Sequence, residues 1–150
     1  MARGDLTLFE EFADEFGKGA HNLNGATLKL GLIDDSVAPT AADTTPTWGD
    51  YSGNEVSTAG NYTADGETLT YSGVTRWGEA DGVGTLDADD ITISQDGSGF
   101  TDAYYAILYN DDHASDAAIG FLDLGGPVSE QDGDVTISWN ASGILTVTIS

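Results

Sequence analysis

Residues 104–109 read YYAILY, and every position in this run is apolar or aromatic. Successive side chains of a β-strand point to opposite faces of the sheet, so a strand with this sequence has two apolar faces. We therefore expect a central strand that is covered on both sides, or one that meets another subunit with one of its faces. The rest of the predicted fold is arranged around this strand.

Short strands separated by turn residues fill the chain from residue 68 onward. The predicted segments are 69–71, 74–77, 83–86, 91–93, 104–109, 118–124, 135–139 and 145–149, with Asp-Gly and Gly-Gly-Pro turns between them. An earlier strand is predicted where Leu28, Leu30 and Leu32 alternate with more polar positions. About nine strands in this arrangement predict a mainly β domain, an antiparallel β-sandwich with jelly-roll-like character over residues 26–150.

One segment near the start of the chain has helical period. Leu8, Phe9, Phe12 and Phe16 recur at spacings near three and four, with acidic residues on the remaining faces. Thr7 followed by Glu10 has the spacing of a capping box, so we expect one amphipathic helix over about residues 6–18. Its aromatic face either caps the open end of this domain's β core or packs partly on a neighbouring subunit.

The segment from residue 34 to 61 is dominated by Asp, Thr, Ser, Gly, Ala and Pro, with Trp48, Tyr51 and Val56 as its apolar anchors. We expect a long surface excursion with one short helical turn, of a kind that is usually functional or mobile. The whole chain, residues 1–150, has a length that suits a single domain.

The charge of the chain is strongly unbalanced: 26 Asp and Glu residues face four Lys and Arg residues, a net charge of −22. Such a surface repels phosphate backbones and anionic lipids, so neither nucleic acid nor a membrane is an expected partner. Self-repulsion of this size is relieved by screening counter-ions, and the composition is typical of proteins that work in concentrated salt. An ordinary acidic extracellular or virion protein is the alternative.

The search for chemistry predicts no enzyme and no cofactor. The chain has no cysteine, no G-x-S-x-G motif and no P-loop lysine, and no signal peptide is recognisable in its first residues. His21 and His113 both lie in polar stretches, where an imidazole is expected at the solvent surface. We expect a protein that is made and assembled inside a cell and has no catalytic residue.

Clustered carboxylates are the weak candidates for a metal site. They are Asp87, Asp89 and Asp90 in one loop and Asp111 and Asp112 in another. Calcium prefers oxygen ligands on loops, but neither cluster has the spacing and central glycine of an EF-hand. We expect each cluster to be a solvated acidic loop.

Five pieces of sequence, in this order, resemble capsid decoration or cement proteins, a family of small virion structural proteins of tailed viruses. They are residues 8–12 (LFEEF), 17–23 (GKGAHNL), 27–30 (TLKL), 60–69 (GNYTADGETL) and 105–111 (YAILYND). The resemblance implies a non-enzymatic, high-copy protein that docks on the outer surface of an icosahedral capsid, commonly as a homotrimer that clamps the major capsid protein. It would assemble in the host cytoplasm. Ordinary members are less acidic, so the charge points to a virus of a halophilic host.

Seven aromatic side chains are the candidate contacts with other subunits, although such side chains are more often part of a chain's own core. They are Phe9, Phe12 and Phe16 on the helix, Trp48 and Tyr51 in the excursion, and Tyr104 and Tyr105 in the central strand. Two other functions stay open: a tail-tube or tail-associated virion subunit, and a host-binding or carbohydrate-binding module. The latter needs exposed aromatics such as Trp48, Trp77 or Trp139 in one platform.

Overall fold

The structure, a computed structural model, describes residues 5–150 and is mainly antiparallel β, as the sequence predicted. Its strands are β1 (Thr7–Leu8), β2 (Leu28–Ile33), β3 (Glu67–Thr68), β4 (Trp77–Ala80), β5 (Val83–Leu86), β6 (Ile91–Ile93), β7 (Ala103–Asn110), β8 (Ala118–Val128), β9 (Val135–Ile137) and β10 (Leu145–Thr148). The helices are α1 (Glu11–Gly17) and α2 (Trp48–Tyr51), with 3₁₀ turns at Ser52–Asn54 and Glu130–Asp132.

The strands form one large and two small sheets. The large sheet has the order β1-β8-β7-β2-β3, and the small sheets have the orders β10-β5-β4 and β6-β9, with antiparallel pairing throughout the described residues. Strand β7 is the middle strand of the large sheet, as the run YYAILY predicted. It pairs with β2 from Leu28↔Asn110 to Ile33↔Tyr105, and with β8 on its other side.

The main core lies between the large sheet and the small sheets, in the manner of a sandwich. Leu28, Leu30 and Leu32 of β2 and Ala106 and Leu108 of β7 belong to one buried cluster with Leu86, Ile93, Val135, Ile137 and Leu145 of the small sheets. All of these side chains are at most 5% exposed. The alternating leucines of β2 therefore face this core, as their spacing predicted.

A second core covers the opposite face of the large sheet. Ile107 and Tyr109 of β7 and Ile33 of β2 are buried there with Phe9, Trp48 and Tyr51. The Trp48 ring stacks on Tyr109 with 5.2 Å between ring centroids and 3° between ring planes. Strand β7 is thus covered on both faces by its own chain, the first of the two predicted alternatives, and the 34–61 segment, with its predicted helical turn, supplies much of the second cover.

The predicted helix over residues 6–18 is wrong at its start. Helix α1 begins at Glu11, whereas Thr7 and Leu8 form β1 and pair with Phe121 and Gly120 of β8. The predicted capping box is also wrong, because Glu10 is the N-cap and makes no side-chain capping hydrogen bond. Pairing with β8 satisfies the backbone hydrogen-bonding groups of these residues. The helical spacing of their side chains does not reveal this distant strand.

Two strand predictions are shifted along the chain. The segment predicted at 69–71 pairs earlier, as Glu67–Thr68, and the segment predicted at 74–77 pairs later, as Trp77–Ala80. Leu69 keeps one sheet-like contact, since its N–H donates to the Leu28 carbonyl at 2.9 Å. Leu69 is buried, and Tyr71 and Val74 are half-buried, although none of the three lies in a strand.

Replacing Gly31 with Ala is expected to lower the free energy of unfolding by roughly 1–3 kcal/mol, the usual range for overpacking a core. A Cβ atom at this position would lie 2.3 Å from the buried Trp48 ring. Gly78→Ala is the matched control, because Gly78 also lies in a strand and its nearest neighbour would be 3.8 Å away. Urea unfolding of both variants measures the difference; equal stabilities would contradict the packing of Trp48 on β2.

Candidate interaction surface

The seven predicted contact aromatics have different surroundings in the structure. Phe9, Phe12, Trp48 and Tyr51 are at most 7% exposed, so these four side chains belong to this chain's own core, which is the alternative to contact that the sequence left open for them. Phe9, Trp48 and Tyr51 cover one face of the large sheet, and Phe12 belongs to the main core. Tyr104 and Tyr105 are half-buried. Phe16 is 38% exposed and is the most exposed member of the set.

Phe16 lies beside a groove that the sequence did not reveal. The groove has a volume of about 170 Å³, and its lining residues are Phe16, His21, Asn22, Leu23, Asn24 and Trp77. Trp77 is half-buried in β4, on a small sheet, while the others belong to α1 and the turn that follows it. The groove therefore joins the helix to the small sheet through residues that are sixty positions apart.

His21 is 5% exposed, so the prediction of a solvated imidazole is wrong. Its ring stacks on Phe12, with 5.7 Å between centroids, and contacts His113, with 5.9 Å between centroids. Burial lowers the pKa of His21 below its ordinary 6.5, nearby His113 lowers it further, and Glu15 partly opposes the shift. His21 is therefore a neutral, buried side chain at neutral pH.

The hydrogen bonds of Asn110 determine which ring nitrogen of His21 carries the proton. Asn110 Oδ1 accepts from the Asp112 N–H, which leaves the Asn110 amide nitrogen as the donor toward His21 Nδ1 at 3.2 Å. Nδ1 is therefore the acceptor, and the proton of neutral His21 is on Nε2. This buried Nε2–H has no hydrogen-bond partner among the described residues. An unsatisfied buried donor of this kind is a cost to the stability of the fold.

Acidification is expected to destabilise the fold through His21. The unfolded chain binds this proton near pH 6.5, whereas the folded chain binds it only at lower pH, so stability is lost as pH falls through 6.5. Protonation of carboxylates also changes stability at the acid end of this pH range. The unaltered protein is therefore compared with His21→Gln between pH 7.5 and 5.5, so that the difference reports His21. We expect a smaller acid-induced loss of melting temperature in the variant. An NMR midpoint for His21 at or above 6.5 would contradict this expectation.

Arg76 holds the turn that forms one wall of the groove. Its Nε donates to the Leu23 carbonyl at 2.7 Å, its guanidinium also donates to the Ala26 carbonyl, and its Cζ lies 4.4 Å from the centre of the Tyr71 ring. Carbonyl ligands and an aromatic face leave this guanidinium little capacity for a further partner. Arg76 is therefore a structural cation that positions Leu23 in the groove.

The carboxylates of the first predicted metal cluster point to separate partners. Asp89 accepts from Thr70 Oγ1, the Ser72 N–H and hydroxyl, and the Gly73 N–H at 2.8–3.0 Å. These hydrogen bonds lower the pKa of Asp89, the Gly73 N–H most of all. Asp87 accepts from the Ala88 N–H, and Asp90 accepts from the Trp139 N–H. The three side chains brace loops and do not converge on one point.

The second predicted metal cluster is likewise engaged in the fold. Asp111 pairs with Lys29 Nζ at 3.1 Å, and Asp112 Oδ2 accepts from the Thr27 N–H at 2.7 Å. Both contacts join the β7–β8 turn to the start of β2. A different group of carboxylates does converge: ligand atoms of Glu11, Asp14 and Glu15 lie within 4.8 Å of one another on α1. These residues are exposed or half-buried, which is the ordinary state of a solvated acidic helix face.

Ser115, His113 and Glu15 form the arrangement closest to a catalytic triad in residues 5–150. Ser115 Oγ lies 3.1 Å from His113 Nδ1, and His113 Nε2 lies 3.7 Å from a Glu15 oxygen. The Ser115 N–H also donates to Nδ1 at 3.3 Å, so a local turn contact occupies the lone pair that a general base needs. The distance to Glu15 is longer than a hydrogen bond. The arrangement is that of a polar turn against α1.

The three tryptophans do not form one platform. Trp48 is buried beneath the 34–61 segment. Trp77 lines the groove beside Phe16, and Trp139 lines a separate open groove with Asp87, Asp89 and Asp90. The aromatic surface that a carbohydrate-binding module needs is therefore divided between two places.

No helix in residues 5–150 is both long and apolar enough to cross a membrane. Comparison with protein-family models, with curated proteins and with solved structures gives no match to this chain. What can be proposed about function therefore depends on the chain's own sequence and on the geometry described above.

Proposed function

We propose that this chain is a non-enzymatic structural protein of a tailed virus, which binds the outer surface of an icosahedral capsid as a homotrimer and contacts the major capsid protein. The observation that carries the proposal is the groove beside Phe16. It is a small uncharged surface, lined by Phe16, Leu23 and Trp77 and by three polar residues, on a β-sandwich that is otherwise rich in carboxylates. Such a surface suits contact with another protein better than it suits a reaction.

The charge of the chain supports a position outside the shell. A net charge of −22 keeps the protein away from packaged DNA and favours association with a more basic protein surface. Three copies of so acidic a chain repel one another, so the trimer depends on concentrated salt to screen its carboxylates. This requirement fits a virus of a halophilic host.

The positions in the fold of three sequence pieces that resemble the decoration family support the same function. Residues 17–23, which resemble the decoration family, form the turn that carries His21 and Leu23 into the groove. Residues 60–69 lead into and include β3, and residues 105–111 include most of β7; both strands belong to the large sheet. The resemblance thus falls on the surface turn and on the central sheet together.

Binding to purified shells of the major capsid protein tests the proposal. We expect saturable binding of the purified chain at a ratio near one copy per capsid subunit, measured by co-sedimentation in 2 M salt. An unrelated acidic protein of similar size is the control for non-specific capture. Binding to tail tubes instead of shells would support the tail-associated alternative, and binding to neither would contradict a virion role.

A further inference from the structure

Strand β10 is an edge strand, and no strand in residues 5–150 pairs with its outer side. It pairs with β5 and is the last strand in the order β10-β5-β4. The Ile149 N–H donates to the Gly82 carbonyl at 2.9 Å, on the β5 side. Backbone groups of alternate residues point to opposite sides of an antiparallel strand, so those of Val147 also face β5. The N–H and carbonyl groups of Thr146 and Thr148 therefore face outward, where a further strand can pair with them.

The outer edge of β10 lacks the charge that marks the other long edges of the chain. Edge strands commonly carry a charged side chain or a proline, which keeps them from pairing with other chains. Among the described strands, β4 contains Glu79, and the part of β8 beyond β1 contains Asp123. Strand β10 and the residue after it read LTVTI, in which three β-branched side chains favour an extended strand. This edge is therefore suited to pairing between chains.

The charges of the chain favour a second copy as the occupant of this edge. Residues 135–150 are the longest stretch of the sequence without Asp, Glu, Lys or Arg, in a chain of net charge −22. Within the sheet of β10, β5 and β4, the one charged residue is Glu79, in the strand farthest from β10. Two copies can therefore pair through β10 without placing carboxylates opposite one another. A basic segment finds no carboxylate on β10 and is attracted to the acidic surface elsewhere.

The sequence of β10 suits a two-fold axis at Val147. Antiparallel pairing of two copies about this residue places Thr146 opposite Thr148 of the second copy, so that their outward backbone groups bond to each other. The same register places Ile149 opposite Leu145 and beside Val147 of the second copy. Ile149 is 84% exposed, the most exposed large hydrophobic side chain among the described residues, and Val147 is half-buried. Pairing therefore covers apolar surface that the single chain leaves in water.

We infer that two copies of this chain bind each other through β10, in antiparallel register about Val147, and so join their small sheets into one continuous sheet. This inference goes beyond the proposed function and does not depend on it. On a shell, such a two-fold contact would link a chain of one trimer to a chain of a neighbouring trimer.

Two substitutions at one position test the backbone pairing. Thr148→Pro removes the outward N–H and leaves the bonds to β5 in place, because this N–H faces away from β5. Thr148→Ala changes the same side chain and keeps the N–H. We expect Thr148→Pro to weaken self-association by roughly tenfold or more relative to Thr148→Ala, measured by sedimentation equilibrium in about 2 M NaCl, where repulsion is screened. The melting temperatures of both variants show whether they are folded.

A single cysteine at the two-fold axis tests the register. The chain contains no cysteine, and Val147 would form a non-hydrogen-bonded pair with its own copy, with Cα atoms about 4.5 Å apart, a separation that a disulfide spans. With oxidised glutathione as the oxidant, we expect Val147→Cys to form disulfide-linked dimers. Thr92→Cys, at an exposed position of β6, is the control and should stay monomeric on a non-reducing gel.

The outcomes separate a second copy from other occupants. Equal self-association of Thr148→Pro and Thr148→Ala, or equal yields of linked dimer from Val147→Cys and Thr92→Cys, would overturn the inference. If Thr148→Pro does not fold, the cysteine variants decide. The inference is also wrong if the unaltered chain stays monomeric in salt and its Thr146 and Thr148 amides become protected from hydrogen exchange only on shells, because the occupant is then the capsid protein. Binding to shells tests the proposed function separately.

Discussion

Glu130→Ala is expected to lower the free energy of unfolding by about 3 kcal/mol. Glu130 is fully buried, and its two carboxylate oxygens accept from the Asn61 N–H at 2.5 Å and the Phe100 N–H at 3.2 Å. Truncation leaves these donors without their acceptor, at a cost of roughly 1–3 kcal/mol for each donor that stays buried. Gly60 and Gly99 pack directly against the carboxylate, so the variant also leaves a cavity.

The control variant for this prediction removes the same side-chain type as Glu130→Ala, but from the surface. Glu10→Ala removes one carboxylate from an exposed position that has no side-chain capping hydrogen bond, so it reports the relief of repulsion alone. Glu130→Gln is the second comparison. Both carboxylate oxygens of Glu130 are acceptors, so the side-chain NH2 of Gln would face a backbone N–H, and two donors would meet without an acceptor. We expect guanidinium unfolding to rank Glu130→Ala and Glu130→Gln well below Glu10→Ala. Equal midpoints for all three would contradict the buried acceptor.

Raising the NaCl concentration from about 0.1 M to 2 M is expected to raise the melting temperature by roughly 10 °C, which corresponds to about 3 kcal/mol for a domain of this size. The net charge of −22 places unpaired carboxylates over the surface, and the Debye length shortens from about 10 Å at 0.1 M to less than 3 Å at 2 M. The screened charges no longer oppose the compact state.

Calorimetry in NaCl measures this dependence, and chloride is preferred because sulfate also stabilises proteins through exclusion from their surface. A domain of similar size with balanced charge, scanned in the same buffers, shows what chloride does without screening of a large net charge. A melting temperature that does not change between the two salt concentrations would contradict adaptation to concentrated salt.

The sequence revealed the class of fold because strand period and turn chemistry are local signals. The leucines of β2 and the run at residues 104–109 were assigned to strands that the structure confirms. The same local reasoning misses the second face of β2: the alternation predicts Gly31 on the polar side, yet Trp48 covers it from the 34–61 segment. A residue without a side chain carries no signal of what packs on it.

The candidate surface was less predictable than the fold. The sequence predicts Phe16 as a contact residue, but Trp77, on the other side of the groove, is 61 positions further along the chain and has no sequence pattern that pairs it with α1. The polar stretch around His21 predicts that this side chain lies at the solvent surface. Its burial comes from Phe12 and His113, and the contact with His113 is a tertiary contact between the α1–β2 turn and the β7–β8 turn.

The copy number of the chain in purified virions, relative to the major capsid protein, tests the proposed function most directly. Quantitative mass spectrometry with isotope-labelled peptides of both proteins gives this ratio. A protein that decorates the whole shell is expected at a ratio of order one. A ratio of a few per cent would place it in the tail or at a vertex, and its absence from virions would contradict a structural role in the capsid.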